Sequence, residues 1–352
     1  MFLVGDIGGT KTNIALLELS GNGKFRIVLE KNYSSKNYDS LRTIVKEFIE
    51  ENKDIKITSA CFGVAGPVKD GLCDATNLPW LVNSKKIAEL LKINQNLVSL
   101  LNDLEAAAYG IEVLEEKDVY VLNKGIEQPY GNRCLISAGT GLGESIIFWD
   151  GKGYKPSASE GGHADFAARN KIEIDLLNYL INKYGRISYE RILSGPGLLN
   201  VYNFFKDTTY QNTPAWLLER LKNGDPSAAI SETAILKKDE ACEKTLELFV
   251  SVYGAEAGNL ALIALATSGV YIGGGIAPKI LDKLKEGGFM QAFTHKGRLS
   301  VLVSQMPVKV ILNDKIPLLG CGNFLSSQEQ KDSIYSATWF SNKIMLLCID
   351  FQ

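Results

Sequence analysis

The chain has 352 residues, 45% of them apolar, and a formal net charge of -2 at pH 7. It is therefore long and apolar enough for two domains with substantial cores. The near-neutral balance, with no long run of one sign, argues against nucleic acid or an anionic membrane as a partner. Two histidines, His163 and His295, are too few for a multi-histidine metal centre.

The six cysteines (Cys61, Cys73, Cys134, Cys242, Cys321 and Cys348) are scattered, with no C-x-x-C pair. Several lie in strand-like apolar runs as small hydrophobes, which predicts a reduced, cytosolic interior. No basic and apolar leader opens the chain, and no segment stays apolar for the roughly 18 residues of a membrane helix. The expectation is a soluble, cytoplasmic protein.

Leu3-Val4 open a strand, followed by Asp6 and by Gly8, Gly9, Thr10 and Lys11. Ile14, Leu16 and Leu17 resume an extended run that stops at Ser20-Gly21-Asn22-Gly23, a hairpin signal. The second arm is thus predicted as strand. A P-loop or dinucleotide fingerprint would need a helix directly after its glycines; here Thr10 separates Gly9 from Lys11 and no GxGxxG occurs. Free backbone N–H groups in a glycine turn suit phosphate oxygens. An acid beside them would repel that phosphate unless a cation such as Mg2+ lay between. An ordinary tight hairpin with a surface acid remains open on these residues alone.

Residues 38–52 place Leu41, Ile44, Val45, Phe48 and Ile49 on one helix face. A strand over 57–64 ends at Ala65-Gly66-Pro67, and Lys69-Asp70-Gly71 is a turn. Residues 97–101 form another strand with Asn102-Asp103 at its carboxyl end, and 104–114 read as helix. The architecture is α/β. Asp103 reads equally as the cap of that helix, where Asn and Asp are favoured, or as a base exposed at a strand end.

A second unit repeats the plan: strand over 133–138, the turn Gly139-Thr140-Gly141-Leu142-Gly143, strand over 145–149, and a turn at 150–153. The two glycine turns lie about 130 residues apart, a weak internal repeat of architecture. Residues 171–266 are predicted mostly helical, ending in a long apolar segment from 245 to 266. Residues 269–276 are a buried strand running into three glycines, with Pro278 near N1 of the next helix. The hinge is expected at 103–110, with a return crossing near 313–320.

Three motifs, LVGDIGGTKTN (3–13), LISAGTGLG (135–143) and GVYIGGGIAPK (269–279), resemble in order and spacing the two phosphate motifs and the adenosine motif of the sugar kinase/actin/heat-shock ATPase superfamily. With them LND (101–103), SEGGH (159–163) and ERILSGPGL (190–198) look like the bacterial-type glucokinase family. The repressor/sugar-kinase family shares the DIGGTK opening, but it carries a zinc cluster of cysteines, and no Cys lies between Cys134 and Cys242. Its repressors would also need a DNA-binding helix pair, and none fits before Phe2.

The resemblance implies a two-domain actin-like ATPase (ribonuclease H-like) fold with an interdomain cleft. Its small domain would be 1–106 plus about 314–352, its large domain 107–313. It implies a homodimer transferring the γ-phosphoryl of Mg-ATP to the 6-hydroxyl of glucose. Gly8, Gly9, Thr10 and Lys11 would hold phosphates from one domain and Thr140, Gly141 and Gly143 from the other. Asp6 would hold Mg2+, through water, and Gly274 and Gly275 would let the adenosine pack on bare backbone. Asp103 becomes the catalytic base, and Asn77, Asn102, Glu160, His163 and Glu190 the remaining sugar ligands.

Alternatives of the same or another class are a kinase for a different hexose or an N-acyl hexosamine, and a non-catalytic sugar and nucleotide sensor. ADP or polyphosphate could serve as donor at similar turns. Two features depart from the family pattern. Glu144, where a small or apolar residue is expected, reads as facing solvent or as modifying the nucleotide site. The tail 326–352, ending NKIMLLCIDFQ, reads as an appended strand, an oligomer contact or a cloning remnant.

Overall fold

The computed structural model describes residues 1–21, 23–75, 78–210 and 212–329. It divides into two compact units, one of Met1–Leu114 with Lys315–Gln352, the other of Glu115–Asp314. The break falls after residue 114, beyond the expected hinge.

In unit 1, β1 (Phe2–Ile7), β2 (Lys11–Leu19) and β3 (Phe25–Ser34) form an antiparallel meander, so the arm after the first glycine turn is strand. Next comes α1 (Leu41–Glu50), capped by Ser40, whose side chain accepts from the Thr43 N–H. Then β4 (Ser59–Val64) pairs parallel with β1. Short strands β5 (Val68–Lys69), β6 (Leu72–Asp74) and β7 (Leu81–Asn83) make a small antiparallel sheet. After α2 (Ser84–Leu91), β8 (Val98–Asn102) pairs parallel with β4. The main sheet has the order β3-β2-β1-β4-β8. α3 (Asp103–Gly110) follows β8 directly and gives way to a 3-10 turn at Ile111–Val113, shorter than the predicted helix because the last turn tightens.

A central strand must be apolar on both sides, and β1 is. Leu3 and Ile7 face a core with Phe48, Phe62 and Trp80, while Phe2 and Val4 face one with Ala106, Leu318 and Leu325. The second core is completed by a helix over residues 316–329. This helix passes α3 at Gly320, where a Cβ would run into the backbone of Ala106 and Gly110, so only glycine permits that approach.

Unit 2 repeats the scheme. After β9 (Val119–Asn123) come β10 (Arg133–Ala138), β11 (Leu142–Trp149) and β12 (Tyr154–Ser159), again an antiparallel meander. A helical block follows: α4 (Lys171–Tyr184), α5 (Gly195–Phe205), α6 (Ala215–Asn223), α7 (Pro226–Ile235) and α8 (Glu240–Ala264). Then β13 (Val270–Gly273) enters the sheet parallel to β10, and after α9 (Leu281–Lys285), α10 (Gly288–Thr294) and α11 (Ser300–Ser304), β14 (Val308–Ile311) pairs with β13. The order is β12-β11-β10-β13-β14-β9. Its first five places repeat the unit 1 order, with β9 added antiparallel at the edge. The repeat read from two glycine turns is therefore a repeat of whole sheets.

Three details differ from expectation. Gly143 lies inside β11, paired with Ser137, because the turn closes by residue 141. Pro278 sits in a run of turns and not at a helix start, since α9 begins at Leu281. α8 contains a window of mean hydropathy 1.3, long and apolar enough to span a membrane, but 72% of that window is buried. It is the central helix of the unit 2 core, with Phe249, Tyr253 and Ala257 in contact with the sheet and its helices.

Candidate active site

The first glycine turn is closed by Gly8 N–H donating to the Lys11 carbonyl at 3.0 Å. Ser35, fully buried after β3, pins it: Ser35 Oγ donates to the Gly8 carbonyl at 2.7 Å and its N–H to the Thr10 carbonyl at 3.0 Å. Ser35 carries no sequence signal, since it joins the turn only through the register that pairs Lys11 with Ser34. Asp6, opposite Asn13 in the β1–β2 ladder, has its pKa pushed up to about 6. Burial is the main cause and the charge of Asp103 adds to it, while a hydrogen bond from Asn13 works against both. Asn13 Oδ1 is itself enclosed with no partner among the described residues.

At the end of β8 the capping role falls to Asn102: its Oδ1 accepts from the N–H groups of Leu104 and Glu105, and its Nδ2 donates to the Gly66 carbonyl at 3.2 Å. Asp103 is the first residue of α3, its Oδ1 receiving the Leu104 N–H at 2.9 Å. The two readings of Asp103 are thus distributed over neighbours, the cap on Asn102 and the partly exposed carboxylate on Asp103. Asn77 lies outside the described residues, as does the tail from residue 330, Cys348 included.

In unit 2 the second glycine turn is closed by Gly139 N–H donating to the Gly141 carbonyl at 2.8 Å. The SGPG segment braces it. Ser194 caps α5 by accepting from Gly197 N–H, and Gly195 N–H donates to the Gly139 carbonyl at 2.8 Å. Glu190, in a 3-10 turn and not on a long helix face, takes the Leu142 N–H on its Oε2 at 3.1 Å. Gly274 has φ +83 and packs so tightly on Ala138 that a Cβ would enter its backbone. Ile276 N–H then reaches the Ala138 carbonyl at 3.2 Å. The turn bearing Thr140 and Gly141 and the turn bearing Gly274 and Gly275 are thereby neighbours at the carboxyl ends of β10 and β13, held by Ala138.

The SEGGH segment forms a 3-10 turn over Gly161–His163, with His163 Nε2 3.9 Å from Glu160 Oε2 and both side chains exposed. It is tied to the Glu190 turn by Tyr189 N–H donating to the Ala164 carbonyl at 3.1 Å, and Arg186 donates to the His163 carbonyl at 2.6 Å. Unit 2 thus gathers Glu160, His163 and Glu190 with the second glycine turn, and unit 1 gathers Asp6, Asp103 and the first. A surface cavity of about 400 Å³ at α6 and α7, lined by Glu219, Arg220, Asn223 and Asp225, contains none of these residues.

Glu144 does not face solvent. It is 4% exposed, and its acid is pushed up to about 8 by burial and by the Glu256 carboxyl beside it. The five described cysteines are buried free thiols. Among the described residues no cluster of three or more His, Cys, Asp or Glu is placed to hold a metal.

The glucokinase family model matches residues 3–328. A glucokinase from Nostoc punctiforme is 40% identical over 333 residues, covering 91% of this chain and 97% of its own. One from Synechocystis sp. is 42% identical over 342 residues, covering 91% and 96%. Among solved structures, a glucokinase from an Antarctic psychrotroph superposes with a TM-score of 0.81 at 30% identity, over 93% of this chain and 98% of that one. The paired sheets are those of the two-domain actin-like ATPase fold. With a match that runs through both glycine turns and all the acids described above, the chain belongs to the glucokinase family.

Proposed function

We propose that this protein transfers the γ-phosphoryl group of ATP to the 6-hydroxyl of glucose, giving glucose 6-phosphate and ADP. The observation that carries the reading is the pairing of a braced glycine turn with a strand-end acid in unit 1, matched in unit 2 by a second braced turn and the SEGGH and Glu190 acids. Phosphoryl transfer asks a protein mainly for positioning and charge stabilisation. Gly8, Gly9, Thr10 and Lys11 bind phosphate oxygens from unit 1, and Thr140, Gly141 and Gly143 from unit 2. Gly274 and Gly275 bind the adenosine.

Glu160, His163, Glu190, Asn102 and Asn77 hold sugar hydroxyls. For Asn102 the contact is made by Nδ2, since Oδ1 is taken up by the α3 cap. Asp103 accepts the proton of the 6-hydroxyl as that oxygen bonds to the γ-phosphorus and the bond to the β,γ-bridging oxygen breaks, its electron pair leaving with ADP. A carboxylate with a raised pKa beside an unpartnered amide oxygen fits a hard divalent cation. Asp6, with Asn13 Oδ1 near, would hold Mg2+, directly or through water. When bound, the ion neutralises charge on the phosphates. We read the protein as cytoplasmic and homodimeric; the free thiols support the first and the family resemblance the second.

The test is ADP release across a panel of glucose, other hexoses and N-acyl hexosamines, with ATP, ADP or polyphosphate as donor. Glucose with ATP is expected to give the highest kcat/KM. An N-acyl hexosamine preferred over glucose would overturn the assignment, and so would sugar binding with no turnover.

A further inference from the structure

The Glu144 side chain, which departs from the family pattern, lies where the two sugar-binding segments meet. Its Oε2 abuts Gly161, so closely that a Cβ there would clash with the carboxyl. Its Oε1 is enclosed without a hydrogen-bond donor among the described residues. Facing it from α8 is Glu256, 5% exposed, whose Oε2 accepts from Asn259 Nδ2 at 2.8 Å and whose carboxyl also receives the Tyr189 hydroxyl. Each carboxyl acts on the other in this enclosed place, which disfavours the state with both charged. One proton held between them makes Glu144 a donor and leaves Glu256 the acceptor that its other partners require.

We propose that Glu144 is a positioning residue for the sugar-binding segments, and that the single proton it shares with Glu256 holds Gly161 and Tyr189 in place, and through them Glu160, His163 and Glu190. This rests on the glucokinase reading of those three side chains. The path is short on both sides: Gly161 adjoins Glu160 and its carbonyl receives the Ala164 N–H at 2.8 Å, while Tyr189 adjoins Glu190 and its N–H reaches the Ala164 carbonyl. Asn259 Nδ2 also contacts the Tyr189 hydroxyl at 3.1 Å.

The titratable and charged groups facing the pair are Cys134 from β10, Tyr253 from α8 and Tyr189, with Lys296 and Arg169 on the Glu256 side. Burial keeps the thiol and both phenols neutral well past the range in which Glu144 ionises. Lys296, lowered to about 8 by burial, titrates in the same range, so the pH profile must be read against variants of the pair itself. As pH rises past about 8, Glu144 loses the shared proton. The two charges then repel, and the segments they hold are displaced.

The experiment measures glucose KM and kcat at saturating ATP, from about pH 6 to about pH 9.5, for the full chain and for Glu144→Gln, Glu256→Gln and Glu144→Ala. Far-UV circular dichroism checks the fold of each. The native protein is expected to show glucose KM rising past pH 8 with kcat nearly constant. Either amide keeps one donor and at most one charge in the pair, so both Gln variants keep a neutral-pH KM near the native value and lose the alkaline rise. Glu144→Ala raises KM about ten-fold or more at every pH, the scale of losing a hydrogen bond to a charged group.

If the Ala variant does not fold, the amide profiles decide. An active native enzyme whose KM stays flat with pH overturns the positioning role alone. So does an alkaline rise that persists in both Gln variants. A native protein that phosphorylates no hexose overturns the underlying assignment of function, and the positioning role with it.

Discussion

Asp103 and Asn102 show how far single residues could be read. The sequence LND left one acid with two roles, because a cap and a strand-end base occupy the same local position. The hydrogen bonds give the cap chiefly to Asn102, whose Oδ1 takes two N–H groups of α3, while Asp103 Oδ1 takes the Leu104 N–H; the base role stays a proposal. Glu144 was visible in the sequence as a departure from the family pattern, but its burial was not. That depends on Glu256, more than 100 residues away in the chain, which no local pattern connects to it.

Glu144 also gives a stability prediction. Its acid is raised from an ordinary value of 4.5 to about 8 in the fold, so between those limits the folded state binds more protons than the unfolded one. Stability contributed there is full below pH 4.5 and falls as pH rises toward 8. Thermal unfolding should show Glu144→Gln gaining on the native protein as pH increases from about 5 to about 8, with the gap closing in acid. A Tm difference independent of pH would contradict this.

Among the elements, the glycine turns and the first two strands of each meander were legible because apolar runs stop at glycine clusters; β3 and β12 were not singled out. α8 was legible as an apolar segment, but its task was not. Its Tyr253, fully buried, receives the Ala138 N–H at 3.3 Å and faces the carbonyls of Ile136 at 3.4 Å and Gly273 at 3.3 Å. One phenol thus joins the ends of β10 and β13, from which the turns bearing Thr140 and Gly141 and bearing Gly274 and Gly275 depart. Tyr253→Phe should cost about 1–2 kcal/mol in chemical denaturation, since it leaves enclosed backbone groups without a partner. It should also raise KM for ATP more than KM for glucose. Equal effects on both would show that the phenol supports the unit as a whole and not these two turns in particular.

Over the whole molecule, the repeat of one sheet order in both units goes well beyond the weak repeat of strand, glycine turn and strand that the sequence offered. The two short motifs each fix a strand, a turn and an antiparallel return, which accounts for β1-β2 and β10-β11 and not for the rest of the order. The exact place where the chain passes from one unit to the other was less legible. α3 is continuous with the unit 1 core through Ala106, and nothing in its composition marks where that packing stops.

The central proposal is that Asp103 is the base of the phosphoryl transfer and that Glu160, His163 and Glu190 hold the sugar. Its most direct test is Asp103→Asn, assayed for glucose-dependent ADP release and, by calorimetry, for glucose binding. The variant should still bind glucose while kcat falls about 10²–10⁴-fold, the usual contribution of a positioned base. Turnover within a few-fold of the native enzyme would contradict the account.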